Sequence, residues 1–159
     1  MANTQAICKS FRVELLNAVH QFGSPTIVSR TSLTAPTVDS FKAALFLASA
    51  TIDSTTTAYS ATGEVTGTGY TAGGVAVTNA TAPANTGGTG IIAFWTPSAS
   101  FAWTSVTLST AFDCVLLYNS TQGNKAVAAF TFGSQTVTAG NFTLTMPTND
   151  LTTGLLRLS

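Results

Sequence analysis

Glycine and proline interrupt this chain so often that short strands are favoured over long helices for most of its length. The 159 residues include 13 glycines and 5 prolines, and from Thr26 onward the segments between them are short apolar or alternating runs. Runs of this kind, bounded by turn-forming residues, are typical of β-strands. We therefore predict a mainly β protein that forms a single domain over residues 1–159, a length that usually gives one core.

Several of these runs alternate apolar residues with threonine. Val106 and Leu108 do so, and so do Phe142, Leu144 and Met146, which directs threonine to solvent and the apolar side chains inward. Two sheets packed face to face would bury both apolar sets, so we expect an antiparallel β-sandwich of jelly-roll or Greek-key type. The predicted strands are residues 41–48, 74–78, 91–95, 102–108, 113–118, 126–132, 142–146 and 155–158.

Two parts of this interpretation stay open. Residues 40–50 are alanine-rich enough to form a helix instead of a strand. Residues 51–90 are an irregular stretch, dense in Thr, Ala and Gly, which is longer than structureless connections in compact domains usually are. We expect it to fold as a surface loop or to be ordered by a neighbouring chain. Short turns at residues 119–124 and 133–135 suit an antiparallel meander or Greek key.

One segment near the N-terminus has helical periodicity. Ser10 can cap its start, Gly23 can take the left-handed position after its end, and Pro25 blocks continuation. We predict an amphipathic helix over about residues 10–22. Its apolar face would carry Phe11, Leu15, Ala18, Val19 and Phe22, opposite Glu14, Asn17 and Gln21.

The chain is unusually poor in charge. Charged residues make up 8% of it and the net charge is zero, against about a quarter in ordinary soluble domains. The six basic residues are scattered, so no nucleic-acid footprint is visible. No stretch reaches the length of a membrane span, and no export signal is expected at the N-terminus. A surface so neutral is better suited to being covered by a neighbour than to surrounding a free monomer.

The residues that catalysis or metal binding would need are few and scattered. His20 is the single histidine and lies on the polar side of the predicted helix, which favours a solvated surface residue over a catalytic base. Cys8 and Cys114 lack the paired spacing of metal sites. Without a secretory signal they are expected to be reduced thiols, although a disulfide between them stays open.

The six carboxylates are far apart in the sequence, and only the fold could bring two of them together as a catalytic pair. Asp39, Asp53 and Asp150 neighbour Ser, Thr or Asn, as is typical of acids that form turns. We predict no catalytic, cofactor-binding or metal-binding residue, no cofactor and no enzymatic activity.

Two further features suggest contact rather than chemistry. The glycine-rich segment 67–74 lacks the spacing of phosphate-binding loops, and its glycines are expected to allow positive φ or close backbone approach while Tyr70 packs as an anchor. Trp95 and Trp103 belong to the densest aromatic patch, for which core packing is the default and a protein anchor or sugar platform is the alternative. The candidate interaction residues are Phe11, Tyr70, Trp95 and Trp103.

Six segments together resemble the small virion structural proteins of tailed bacteriophages, in an order and spacing that extend over nearly the whole chain. They are FRVELL (11–16) leading to Phe22-Gly23, FKAAL (41–45), EVTGTGYTAGG (64–74), LYNST (117–121), KAVAAFTFG (125–133), and TVTAG (136–140) leading to MPT (146–148).

This resemblance implies a virion component that is made in the host cytoplasm. We expect a decoration or cement protein on the capsid surface, bound to the major capsid protein and to further copies of itself as a homo-oligomer, with no nucleic-acid or membrane partner. The predicted helix or residues 51–90 are the expected contact surface. One alternative is a tail, neck or fibre-base component. The other is a carbohydrate-binding adhesin, which requires exposed rings at Trp95 and Trp103.

Overall fold

A computed structural model of the chain describes residues 3–16, 19–20, 22, 38–85 and 92–158, and the statements below refer to these residues. The protein is mainly β with antiparallel pairing, as the sequence predicts. Its elements are β1 (Ala6–Ile7), α1 (Lys9–Leu16), β2 (Phe41–Leu47), β3 (Val75–Ala76), β4 (Ala93–Trp95), β5 (Phe101–Asn119), β6 (Lys125–Leu144) and β7 (Leu156–Leu158).

One long hairpin, β5–β6, organises the fold. Its strands pair from Asn119 opposite Lys125 at the turn to Phe101 opposite Leu144 at the far end. Gly123 and Asn124 have positive φ in the turn, a conformation that these two residue types adopt most easily. The turn predicted at residues 119–124 is confirmed.

The second predicted turn, at residues 133–135, is wrong. The segments predicted as 102–108 and 113–118 form one strand, and 126–132 joins most of 142–146 in another, which ends at Leu144. The pairing register shifts repeatedly between Trp103 and Cys114, so bulges take the place of a turn. Ser105 and Ala139 take positive φ there, with Ser105 N–H bonded to the side chain of Asn141.

These bulges bend the hairpin until its two halves face each other. We call residues 112–119 and 125–132 the near half, and residues 101–111 and 133–144 the far half. The rings of Phe132 and Phe142 lie 5.3 Å apart between centroids, whereas ten residues of straight strand would separate them by about 33 Å. Phe112 meets Phe142 edge to face at 5.0 Å. An aromatic cluster therefore fills the angle of the bend.

The near half is buried on both faces. The main sheet has the order β1-β6-β5-β2-β3, and a second sheet joins β4 to β7. Residues 43–46 of β2 and 114–117 of β5 have almost no exposed surface, so both strands are continuous apolar runs. β2 is thus a strand, as predicted for residues 41–48, and the helical alternative is excluded.

Helix α1 is shorter than the helix predicted over residues 10–22. It ends at Leu16, and Val19, His20 and Phe22 are not helical. His20 turns back to bond the carboxylate of Glu14 at 2.7 Å. Residues six apart stand about 240° around a helix axis, so this contact requires the helix to end between them. Gly23 and Pro25, the predicted stop signals, lie outside the described residues.

Residues 51–85 fold back onto the chain's own sheet, which is one of the two outcomes expected for the irregular stretch; residues 86–90 lie outside the described part. Val65 N–H bonds the carbonyl of Leu45, and Thr107 N–H bonds the carbonyl of Thr68. Gly74 has a φ of +72°, and a side chain there would overlap the backbone of Ala43. The glycines of segment 67–74 are thus a backbone requirement, as predicted.

Replacing Gly74 with Ala is therefore expected to lower the free energy of unfolding by about 2–4 kcal/mol, through left-handed strain and overlap with Ala43. Gly133→Ala is the matched control, because a methyl group there meets nothing within 4 Å, and we expect a change within about 0.5 kcal/mol. Urea unfolding of the two variants tests this. Equal stability of both would contradict the close approach.

Candidate interaction surface

The structure places the four predicted interaction residues in the chain's own packing. Phe11, Trp95 and Trp103 are 1%, 2% and 3% exposed. Trp95 donates its indole N–H to the carbonyl of Thr81 at 2.8 Å. Core packing, the default interpretation of the tryptophan patch, is therefore correct, and neither ring has the exposure that a sugar platform needs.

Tyr70 is half-buried and acts as an anchor within the chain. Its hydroxyl donates to Glu64 Oε1 at 2.7 Å and accepts the N–H of Leu45 at 3.0 Å. It thereby ties the glycine-rich segment to β2. The anchor role predicted for Tyr70 is confirmed, but its partner lies in the same chain.

Glu64 is the centre of this attachment, which the sequence reasoning missed. Its buried carboxylate accepts hydrogen bonds from the hydroxyls of Tyr59 at 2.6 Å and Tyr70 at 2.7 Å, and from Gly73 N–H at 2.7 Å. Burial, followed by the hydrogen bond to Glu64, raises the pKa of both tyrosines well above the ordinary value. Both hydroxyls thus remain protonated donors. The only sequence signal was a lone acid between two tyrosines in a charge-poor segment.

We expect Glu64→Ala to lower the free energy of unfolding by about 2–4 kcal/mol, because three donors lose a charged acceptor. Tyr70→Phe removes one bond and is expected to cost about 1–2 kcal/mol. A double-mutant cycle between Glu64 and Tyr70, followed by urea unfolding, measures their coupling. Additive effects would show that the bond contributes nothing.

A second buried network attaches the N-terminal segment to the hairpin turn. His20, predicted to be a solvated surface residue, is 7% exposed, so that prediction is wrong. Its Nε2 lies 2.7 Å from Glu14 Oε2, and Lys125 Nζ donates to Glu14 Oε1 at 2.8 Å. The sequence gave no reason to expect this partly buried ion pair, since Glu14 and Lys125 are 111 residues apart.

The neighbours of Asn119 determine the tautomer of His20. Asn119 Oδ1 accepts the N–H groups of Thr121 and Gln122, so its Nδ2 is left to donate. That nitrogen donates to Asp39 Oδ2 at 2.7 Å and lies 3.1 Å from His20 Nδ1. His20 Nδ1 is therefore the acceptor, and the imidazole proton is on Nε2, directed at Glu14.

Asp39 is also held differently from the exposed turn acid that the sequence indicated. It is 5% exposed and accepts hydrogen bonds from Asn119 and from the side-chain amide of Gln122. Asp39, Asn119 and Gln122 together fasten the chain before β2 to the hairpin turn.

Acid is expected to weaken the network around Glu14. Burial acts to raise the pKa of Glu14, but hydrogen bonds from Lys125 and His20 outweigh it and hold the pKa below the ordinary value of 4.5. A depressed pKa gives stability that is present above the unfolded value and lost as pH falls through the folded one.

Glu14 should therefore contribute fully to the free energy of unfolding at neutral pH, and this contribution should be lost as the pH falls below about 4.5. Glu14→Gln is expected to lower stability at pH 7 by about 1–3 kcal/mol and to flatten the acid decline. Urea unfolding from pH 7 to pH 3 checks both effects. The same slope in wild type and variant would contradict the role of Glu14.

The two cysteines are free and buried, as the reduced-thiol prediction has it. Burial, with a smaller effect of Asp53, raises the pKa of the Cys8 thiol to about 11, and burial with the charge of Asp113 raises that of Cys114 to about 12. Both remain protonated at neutral pH and behave as small apolar side chains.

The far half of the hairpin exposes a surface without charge. Residues 96–112 and 126–149 contain no Asp, Glu, Lys or Arg. Inward-facing residues such as Trp103 are buried, while the opposite face is small and exposed. We call this opposite face the outer face. Its exposed residues include Ala102, Thr104, Asn141 and Thr143, with Ala102 paired directly to Thr143.

A groove opens on the side of the hairpin formed by β6. A cavity of about 150 Å³ is lined by residues of both halves, among them Phe130, Phe132, Leu144 and Met146. It shares Phe130 and Leu155 with a neighbouring cavity of about 410 Å³ that reaches β1. Together they form one groove, the β6 groove. Its smaller part is lined largely by half-buried apolar side chains, whereas its larger part also carries Gln5 and Arg157.

No protein-family model, curated protein or solved structure matches the chain. The resemblance to phage virion proteins therefore stays a prediction. Over the described ranges, no helix has the length and apolar character to span a bilayer, and no three His, Cys, Asp or Glu side chains are grouped as metal ligands.

Proposed function

We propose that this protein is a non-enzymatic structural component of a tailed-phage virion, and that it serves as a decoration or cement protein on the major capsid protein. The resemblance of six ordered segments supports the virion assignment. The observation that carries the binding role is the uncharged outer face of the hairpin's far half.

An outer face of this kind suits repeated docking. Soluble domains usually keep exposed strands apart with charged side chains, and these are missing from residues 96–112 and 126–149. When a partner covers small Ala, Thr and Asn side chains, water is displaced and no charged group is buried without a partner. When many copies bind one shell, their modest individual affinities combine to hold the whole layer in place.

The finer architecture belongs to the same proposal. The aromatic contacts across the bend support two β layers packed face to face, as in a β-sandwich. Jelly-roll or Greek-key connectivity stays a prediction.

The decisive measurement is the copy number of the chain in purified particles, by quantitative mass spectrometry against the major capsid protein. A ratio near one, or a simple fraction of it, is expected for a layer that covers the shell. A few copies per particle would instead favour a neck, tail or fibre-base component, and absence from particles would end the proposal.

The contact surface can be tested with one residue change made at two places. Ala102→Lys puts a charge on the outer face, and Ala61→Lys makes the same change at an exposed position of residues 51–85. Ala102→Lys is expected to reduce binding to particles at least about tenfold, with Ala61→Lys unchanged. Loss in the second variant alone would move the contact to residues 51–85.

Point changes are better suited than deletion for this purpose. Residues 51–85 include Glu64 and the buried Ile52, Val65 and Val77. Removing the segment would dismantle the core, so lost binding could not be assigned to a surface.

The adhesin alternative has weaker support, because both tryptophans on which it depends are buried. Glycan binding that disappears in Trp95→Ala or Trp103→Ala, with folding intact, would restore it.

A further inference from the structure

The folded hairpin has neighbours along more of its β5 side than of its β6 side, and the described residues leave the β6 groove without a covering strand. On the β5 side, β2 pairs with the near half, and Thr68 bridges to Thr107 in the far half. On the β6 side, β1 and residues 57–58 reach only as far as Ala129. Within the described residues, the outer edge of β6 from Phe130 to Leu144 has no partner strand.

Bulges divide this open edge into two regular pieces. Pairing is continuous from Cys114–Leu117 opposite Thr131–Ala128, and again at Phe101–Trp103 opposite Leu144–Phe142. The piece at Phe130–Thr131 and the piece at Phe142–Leu144 border the β6 groove, whose floor includes Phe101 and Val115. Unpaired backbone groups thus stand beside half-buried apolar side chains, the combination that strand addition uses.

The edge also lacks the usual protection against such pairing. Natural edge strands commonly carry lysine, other charges or proline, and residues 126–146 contain none of these. Bulges are the one protective feature that the described edge has, and they do not interrupt the piece at residues 142–144.

The absence of charge favours a second copy of this chain as the occupant. A twofold contact brings the same segment of both copies together, and like charges placed opposite each other would weaken it. Because residues 126–149 carry no charge, every antiparallel register of β6 against its counterpart avoids this repulsion. A charged partner segment would instead have to bury its charge against the apolar part of the groove around Phe132 and Leu144.

From this geometry we infer that two copies of the chain associate about a twofold axis through the open edge of β6, and that each copy covers the β6 groove of the other. The inference rests on the proposed function only for its expectation of self-association. Under this inference two surfaces have different roles: the outer face binds the shell, and the β6 edge contacts a second copy.

Thr145 offers a direct test, because it is exposed and lines the groove. Sedimentation velocity of the purified full chain is expected to show a dimer for wild type and for the control Ala61→Lys. Thr145→Lys and Thr145→Glu should each weaken the dimer by roughly tenfold or more, since either change places a charge in the groove that the second copy covers.

Several outcomes would overturn the inference. Among them are a monomeric wild type, a dimer that Thr145→Lys leaves intact, and a trimer or larger ring. A monomer that loses shell binding in Thr145→Lys would give the groove to the capsid protein instead. Dimers in solution combined with absence from particles would leave this inference standing and end the proposed function, so the two can fail separately.

Discussion

The packing of most other elements follows from the bend in the β5–β6 hairpin. Because bulges between Trp103 and Cys114 fold the two strands over, Phe112 and Phe132 of the near half meet Phe142 of the far half. β2 then covers the near half, and residues 65–70 cover the β5 edge of the far half. The bend also accounts for both exposed surfaces, since it turns the outer face to solvent and, among the described residues, leaves the β6 groove without a covering strand.

Three of the chain's six carboxylates, Glu14, Asp39 and Glu64, are buried, and each attaches a peripheral segment to the hairpin or to β2. Glu14 holds the N-terminal segment through His20 and Lys125, Asp39 holds the chain before β2, and Glu64 holds the glycine-rich segment. In a charge-poor chain this use has a consequence for the surface. Charge that stabilises the interior as paired, hydrogen-bonded groups is no longer available to solvate the exterior.

In the proposed function, the uncharged outer face and the open edge of β6 in the described residues would serve complementary roles. A free monomer gains little from either, because both lack the charges that keep soluble domains apart. For a protein that is covered by neighbours on several sides, an uncharged face and an unpaired edge are no disadvantage. The outer face and the β6 edge lie on different sides of the same hairpin, so contact with a large partner and contact with a second copy need not compete.

The sequence was enough to predict the strand class, the positions of most strands, the hairpin turn at residues 119–124 and the backbone role of the glycine-rich segment, because these follow from local periodicity and turn chemistry. It also indicated that Trp95 and Trp103 pack in the core. It could not show that Gly133–Gln135 lies in a continuous strand, because a bulge and a turn use the same residue types. His20, Glu14 and Lys125 are joined only by the fold, as are Glu64 and its tyrosines to β2. Local pattern decides which segments are strands, whereas only tertiary packing decides which polar groups are buried together and which edge stays open.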